Sequence, residues 1–391
     1  MVDPSVERFN AAVEWVRSEG GFWHQNLERR KDDNGVYGIF ANGDIKPGEI
    51  LCRIPNKCGL FHNTWESPDT WNLKLKLTYS ILCEMRKVAK GQESKFKHVL
   101  DGMTTLQEYK SHHPYFIPKI EHDLLDGYSP IFNMLRQGLD SGLEETKKRI
   151  KEFDTEGFTD DQIVIAYMNN NTRSWFGMYL PVMDMFNNSI RKGVINQTME
   201  DESLVKSKVP YKPGEQVYIS YGNKDMLVMA YEYGFYDETD YPMALPLVLN
   251  YTGAEPLNFA VARLCIGEGM TGILSDNSQR ITVGIEDLGK MQRLNKLVCF
   301  SREGISSDLY KFFELFAIEN YEELEAKKGK KKQVMKLLDE HLSRMIGGDA
   351  QYDKDERRSN TYLMLIKCLE DRIQILRDCR AWVREQSEKS E

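Results

Sequence analysis

The sequence predicts an α+β protein followed by an all-α domain, and three observations carry this. Short strand-like runs occur at about 35 to 55 and again at about 178 to 221. A mainly helical stretch from about 70 to 165 separates them, and beyond about 255 the pattern is almost wholly helical. At 391 residues the chain exceeds what one core usually fills, so two domains are expected, 1–245 and 250–391, with the helical insertion inside the first.

Each element has a local reason. Asp3-Pro4 offers a cap with proline at the first helical position, Val6, Phe9, Val13 and Val16 follow at helical spacing, and Gly20-Gly21 stops the run. From Gly35 to Pro55 the pattern turns to short strands, around Ile39-Phe40-Ala41 and from Glu49 to Pro55, parted by the turn Asp44-Ile45-Lys46-Pro47-Gly48. The stretch LKLKL at 73 to 77 alternates like a strand, but Leu73, Leu77, Ile81 and Met85 at four-residue spacing favour a helix. Strand character returns in MYLPVMD, SLVKSKV and EQVYISY. The last segment carries Tyr362, Leu365, Ile366, Leu369, Ile373 and Leu376 on one helical face.

Composition excludes several classes. Hydrophobic residues make up 41% and charged residues 29%, and no apolar run approaches the length of a membrane span. The net charge of −8 lacks the basic footprint of a nucleic-acid binder and suits Lys- or Arg-rich protein segments as partners. Neither nucleic acid nor membrane is expected as a partner, and a monomer is expected. The 7 cysteines are scattered, without a C-x-x-C pair, so reduced buried thiols are expected and no metal site. The N-terminus has neither a basic leader nor an apolar stretch, which points to cytoplasm or nucleus and makes the N-x-[ST] matches at Asn170, Asn187, Asn196 and Asn250 chance occurrences. Acidic Glu322, Glu323 and Glu325 beside the lysine run at 327 to 332 make that run a solvated loop.

Motifs narrow the chemistry. The glycine pattern GEGMTG at 267 to 272 is followed by a turn-rich stretch without helical period, so it is read as a loop between helices and not as a dinucleotide site. The pair His112-His113 precedes Pro114 and has no metal-ligand spacing around it, which gives it a surface or structural role. The informative stretch is 172 to 235, in which an Asn-rich corner and a later strand ending in Tyr221-Gly222 allow an Arg, an Asn and a Tyr to converge at strand ends. Taken singly, each has a structural explanation: Asn187 and Asn188 as turn caps, Tyr221 as a core residue, Arg173 in a pair with a surface carboxylate.

Together, D-M-F-N-N-S at 184 to 189, I-S-Y-G at 219 to 222 and E-Y-G-F at 232 to 235 resemble the motifs of SET-domain protein methyltransferases. The segment Tyr37-Gly38-Ile39-Phe40-Ala41 with Asp44-Ile45 and Pro47-Gly48-Glu49 resembles the first motif of that family. The insertion and the helical C-terminal side resemble the branch containing Rubisco large-subunit methyltransferase and actin-histidine methyltransferase. The resemblance implies small sheets around a threaded, knot-like segment, followed by a helical substrate-binding domain. It implies S-adenosylmethionine as cofactor, with S-adenosylhomocysteine as product and no metal. By the same resemblance, cofactor-binding positions are Val36, Tyr37, Gly38, Arg173, Asp184, Asn187, Asn188 and Tyr221, with Tyr221 also catalytic. Arg173 would read the cofactor's carboxylate, Asn187 its amino group, and Asn188 the adenine through backbone groups. Trp175, Tyr233 and Phe235 would wall the substrate channel, and the aromatic Trp175 favours a protein lysine over a protein histidine as acceptor. The family's Asn-His pair reads Asn187-Asn188 here, and the first glycine of its G-x-G falls on Val36, or on Gly35 with a one-residue slip. The remaining alternative is a catalytically silent SET-fold module that binds proteins.

Overall fold

The structure is a computed structural model. It describes residues 3–33, 35–175, 177–189, 192–193, 197–198, 201–221, 225–235, 243–244, 300–301, 304–305, 335–336, 338–340, 342–343, 346, 352–355 and 357–389. The glycine pattern at 267 to 272, the lysine run at 327 to 332, the expected domain boundary near 245 to 250, and Asn196, Gly222, Asn250, Cys265 and Cys299 lie outside these residues.

The chain forms two compact units, one of Met1–Ser111 with Leu139–Tyr221, the other of His112–Gly138 with Gly222–Glu391. The first opens with helix α1 (Pro4–Ser18), where the Asp3 carboxylate accepts from the Ser5 amide at 2.9 Å and Pro4 occupies the first turn. Phe9, Ala12, Val13 and Val16 form its buried face, as their spacing requires. Strands β1 (Phe22–Trp23), β2 (Leu27–Lys31), β3 (Tyr37–Ala41), β4 (Ile50–Pro55) and β5 (Leu60–Phe61) follow.

Helix α2 (Leu73–Ala89) is capped by Asn72, whose Oδ1 accepts from the Leu75 amide at 2.9 Å. Leu77 and Ile81 are fully buried, while Leu73, in the first turn, is 50% exposed. The four-residue spacing thus identifies the helix, although its first member lies off the buried face. Short helices α3 (Lys97–Asp101), α4 (Leu106–His112) and α5 (Lys119–Tyr128) lead to α6 (Pro130–Phe153). Helix α7 (Asp160–Arg173) starts with a capping box between Thr159 and Gln162 and packs on α2. There the Asn170 amide is buried, donating to Lys74 O at 2.7 Å and Thr78 Oγ1 at 2.9 Å, which removes this N-x-[ST] match from the surface.

Strands β6 (Met178–Tyr179), β7 (Asn187–Asn188), β8 (Gln197–Thr198), β9 (Glu202–Lys206) and β10 (Gln216–Ile219) complete the first unit. One sheet has the order β1-β4-β9-β8, another β2-β3-β10-β7, and β5 pairs with β6. The chain leaves the second sheet after β7, passes through β8 and β9 of the first, and returns in β10 to lie parallel to β7. All other pairings within the two larger sheets are antiparallel. Their inward faces meet in one core containing Val16, Trp23, Ile39, Leu51, Ile54, Phe186, Val205 and Val217.

In the second unit, α8 (Met226–Tyr233) is capped by Asp225, and α9 (Asn360–Glu388) by Ser359. Between them in sequence, β11 (Met243–Ala244), β12 (Phe300–Ser301) and β13 (Gly304–Ile305) form an antiparallel sheet. All six residues that the helical pattern assigned to one face of the last segment are buried. The Asp225 carboxylate is shared: Oδ1 accepts from the Leu227 amide at 2.9 Å, and Oδ2 lies 2.9 Å from Nε of Arg372, whose side chain is 1% exposed. Glu121 of α5 is likewise buried and accepts from the Ser359 amide at 2.9 Å, so one carboxylate side chain holds the start of α9. Among the described residues Cys52, Cys58, Cys83, Cys368 and Cys379 are buried and in no disulfide. No helix of the described residues is long and apolar enough to cross a membrane.

His113 has the structural role that Pro114 suggested. Its Nδ1 accepts from the Tyr115 amide at 3.1 Å, so Nε2 carries the proton and donates to the Glu232 carbonyl at 2.9 Å. Burial pushes its pKa down to about 4. An unfolded histidine, near 6.5, then binds a proton that the folded one refuses. The stability contribution is complete above about pH 6.5, falls as the pH drops toward 4, and amounts to on the order of 3 kcal/mol. Urea unfolding at pH 7 and pH 4.5 should show a smaller pH-dependent loss for His113→Gln than for the unaltered protein; equal losses would remove this role.

Candidate active site

The site is built where three chain segments meet around β10. Tyr218 and Ile219 pair with Asn187 and Asn188 on one side, and Gln216 and Val217 pair with Phe40 and Ile39 on the other. The Asn187 amide reaches along this sheet and donates to Tyr37 O at 2.9 Å. Gly38 makes that approach possible, since a Cβ there would stand 2.2 Å from Gln216 Nε2 and 3.1 Å from Asn187 Nδ2. Just before β3, the residue with left-handed backbone is Gly35, at φ 81°, and Val36 is spared that conformation. The one-residue slip is therefore the observed arrangement, closed by Asp32, which accepts from the Val36 amide at 2.8 Å. Val36 itself is 55% exposed.

Tyr221 is held at two points. Its amide donates to Asn188 Oδ1 at 2.8 Å, and its hydroxyl donates to the Phe186 carbonyl at 2.7 Å. The Ser189 amide donates to Ile219 O at 3.1 Å, closing the same corner from below. Asn188 thus works through its side chain, a role that backbone considerations alone did not anticipate. The segment entering this corner is strained: Val182 has φ 58°, the single positive value at a non-glycine among the described residues. A β-branched residue in that region costs on the order of 1–3 kcal/mol and persists only because its surroundings, here a fully packed core, impose it.

Arg173 ends α7 with its guanidinium buried among polar groups. Nη1 donates to Gly102 O at 2.5 Å and to Tyr179 Oη at 3.3 Å, and lies 3.3 Å from Asp184 Oδ2. Burial opposes the charge on Arg173, but Tyr179 and Asp184 more than offset this and hold its pKa above the ordinary value. Asp184 is the mirror case: burial raises its carboxyl pKa despite Arg173 and Arg29 nearby. Neither carboxylate oxygen of Asp184 receives a hydrogen bond among the described residues, so the pair is electrostatic. The partner of Arg173 is thus a buried carboxylate, not a surface one.

The first unit brings together Tyr37, Gly38, Asn187, Asn188 and Tyr221, and joins Arg173 to Asp184. Trp175 sits on a tight hairpin, its amide donating to Met178 O at 2.8 Å, with the ring against the core of this unit. Tyr233 and Phe235 belong to the second unit, where α8 ends and their rings stand 6.2 Å apart. The sequence reasoning missed Arg29, Met185, Tyr179 and the Gly102 carbonyl. For Arg29 a signal existed: strand alternation puts it on the face of the buried Leu27, an inward position for a charge.

Residues 36–222 match the family model described as SET domain, so the chain carries a SET domain over that span. Its α+β architecture is the SET fold. Solved structures similar to the whole chain include Rubisco LSMT bound to sinefungin and monomethyllysine, at 15% identity and a TM-score of 0.58, covering 100% of this chain and 94% of that one. Another is the SET domain of LSMT bound to methyllysine and AdoHcy, at 15% identity and a TM-score of 0.61, with coverage of 100% and 94%. A third is Rubisco LSMT bound to AdoMet, at 16% identity and a TM-score of 0.60, again with 100% and 94% coverage. No curated protein matches the chain by sequence. Likenesses at this level of identity show the fold, and activity must be argued from the site.

The Asn188 side chain provides a direct test of how the corner is held. Asn188→Ala should cost about 1 kcal/mol by orphaning the Tyr221 amide, whereas Asn188→Asp keeps an acceptor and should cost clearly less. Urea unfolding of both variants measures the difference, and equal losses would show that the 2.8 Å bond carries no net stability.

Proposed function

We propose that this chain is an S-adenosylmethionine-dependent protein methyltransferase that acts on a lysine side chain. The observation that carries the proposal is the fixing of Tyr221 beside the Asn187-Asn188 corner, with its hydroxyl proton committed to Phe186 O. With its proton donated away, the phenolic oxygen presents lone pairs, which suit the N–H of a neutral amine. The SET domain match and the fold likeness to structures with AdoMet, AdoHcy and methyllysine support the same reading.

The chain's own groups fit the cofactor. Its amino-acid moiety has a carboxylate and an ammonium, and the site has cationic Arg173 together with Asn187, whose Oδ1 is the natural acceptor for the ammonium. The close approach at Gly38 and the backbone of Val36 and Tyr37 provide the glycine-lined turn against which the same moiety would lie. When bound, S-adenosylmethionine supplies an activated methyl group on a positive sulfonium. In this proposal Tyr221 orients the acceptor nitrogen by accepting one of its N–H groups, and Trp175, in the same unit, walls the path of the lysine stem. A lysine ammonium has no lone pair, so it must first release a proton to water; an apolar, aromatic surround lowers its pKa and favours that release. Alignment of the neutral amine supplies much of the acceleration.

Tyr221→Phe keeps the ring and deletes the acceptor oxygen. It should fold and bind S-adenosylhomocysteine as the unaltered protein does, while methyl transfer to a lysine peptide slows by about 10²-fold or more. Retention of the full rate would take the orienting role from Tyr221.

The acceptor is tested separately. With lysine, the chemical step should accelerate as the pH rises above neutrality until the bound amine's pKa is passed, because only the neutral fraction reacts. Histidine is already largely neutral near pH 7 and would give a flat profile there. Mass spectrometry of peptides differing only in Lys or His at the target position makes the decision, and methylation confined to the His peptide would overturn the lysine assignment.

A further inference from the structure

The strand β2 carries an arginine that the methyl-transfer reading leaves unused. Arg29 Nη1 donates to the Met185 sulfur at 2.9 Å, and Arg173 Nη2 approaches the same sulfur at 3.6 Å. Two guanidinium groups therefore converge on one thioether, and their nitrogens can be no farther apart than the sum of those distances. A thioether is a weak acceptor and offers no charge. Like-charged fork donors aimed at one point form a pocket whose matching ligand is an anion, most suitably a planar carboxylate.

The surroundings sharpen this. The Arg29 guanidinium carbon lies 4.8 Å from the Tyr37 ring centre and 5.6 Å from that of Phe9, so two aromatic faces hold it in place. Burial first, and the charge of Arg173 second, push the Arg29 pKa below its ordinary value, yet a guanidinium remains charged at neutral pH. Asp184 is the carboxylate at ion-pair distance from Arg173, and no ion pair to Arg29 is present among the described residues. The site thus keeps positive charge in excess of the acid beside it, held next to Met185, in the same motif as Asn187.

We infer that Arg29 is a second cofactor-binding arginine, which with Arg173 clamps the carboxylate of the S-adenosylmethionine amino-acid moiety as Met185 yields its place as acceptor. This rests on the cofactor reading given above, and it assigns the Arg29 fork to one functional group of that molecule. The clamp distinguishes ligands that carry the amino-acid moiety from those that lack it.

The test compares two ligands by calorimetry on the full chain: S-adenosylhomocysteine, which has the carboxylate, and methylthioadenosine, which has the adenosine and sulfur but no amino-acid group. Arg29→Gln should weaken S-adenosylhomocysteine roughly ten- to a hundredfold and leave methylthioadenosine within about twofold. Arg29→Lys keeps the charge without the fork and should give a smaller loss, again confined to S-adenosylhomocysteine; it carries the comparison if Arg29→Gln fails to fold. Unchanged affinity for S-adenosylhomocysteine, or equal weakening of both ligands, overturns the clamp while leaving the cofactor reading in force. Failure of the unaltered protein to bind either ligand overturns the cofactor reading and the clamp with it.

Discussion

Two residues of parallel pairing hold the site together. Parallel strands cannot be joined by a tight turn, so the chain between Asn188 and Gln216 must leave the sheet and come back. It does so through β8 and β9, which complete the other sheet. The position of Tyr221 relative to Asn187 and Asn188 is therefore fixed by both sheets together and not by a local loop. The two side-chain bonds at Asn188 and Tyr221 lock a register that so short a strand could not specify alone.

The energetic character of the site follows from this framework. Val182 in a left-handed conformation and Asp184 with its carboxylate buried are both unfavourable locally. They are tolerated because the core on either side, with Val182, Met183 and Phe186 packed among strand residues, leaves no relaxed alternative. Strain at Val182 and buried charge at Asp184 thus stand just before and at the start of the six-residue motif that carries the candidate ligand-binding groups. A site preorganised in this way does not have to be assembled when ligands arrive.

Much of the fold was legible because its signals are periodic or local. The cap at Asp3-Pro4, the four-residue spacing of Leu77 and Ile81, and the stripe from Tyr362 to Leu376 each identify a helix from neighbours in sequence. The candidate site was legible only as a constellation, since Asn187, Asn188 and Tyr221 each have an ordinary structural use. Arg29 escaped because the clue is relational: LERRK reads as an exposed, basic strand until α1 brings Phe9 against Arg29 and Met185 arrives from 156 residues away. The side-chain role of Asn188 was hidden for the same reason, since its partner is the backbone of Tyr221 and backbone amides leave no trace in a sequence.

The buried pair of Asp225 and Arg372 has a consequence for synthesis. The two residues are 147 positions apart. At a ribosomal rate of ~5–20 residues per second, Arg372 is made roughly 7 to 30 seconds after Asp225. Throughout that interval the start of α8 carries a carboxylate that must stay in water, beside apolar side chains whose cover, α9, does not yet exist. The second unit is therefore completed late in translation, whereas the strands from β1 to β10 have all been made before Asp225 leaves the ribosome. The nascent chain passes through a stage in which one half has all of its parts and the other displays an unfinished core, and it is there that a molecular chaperone would find the most to hold.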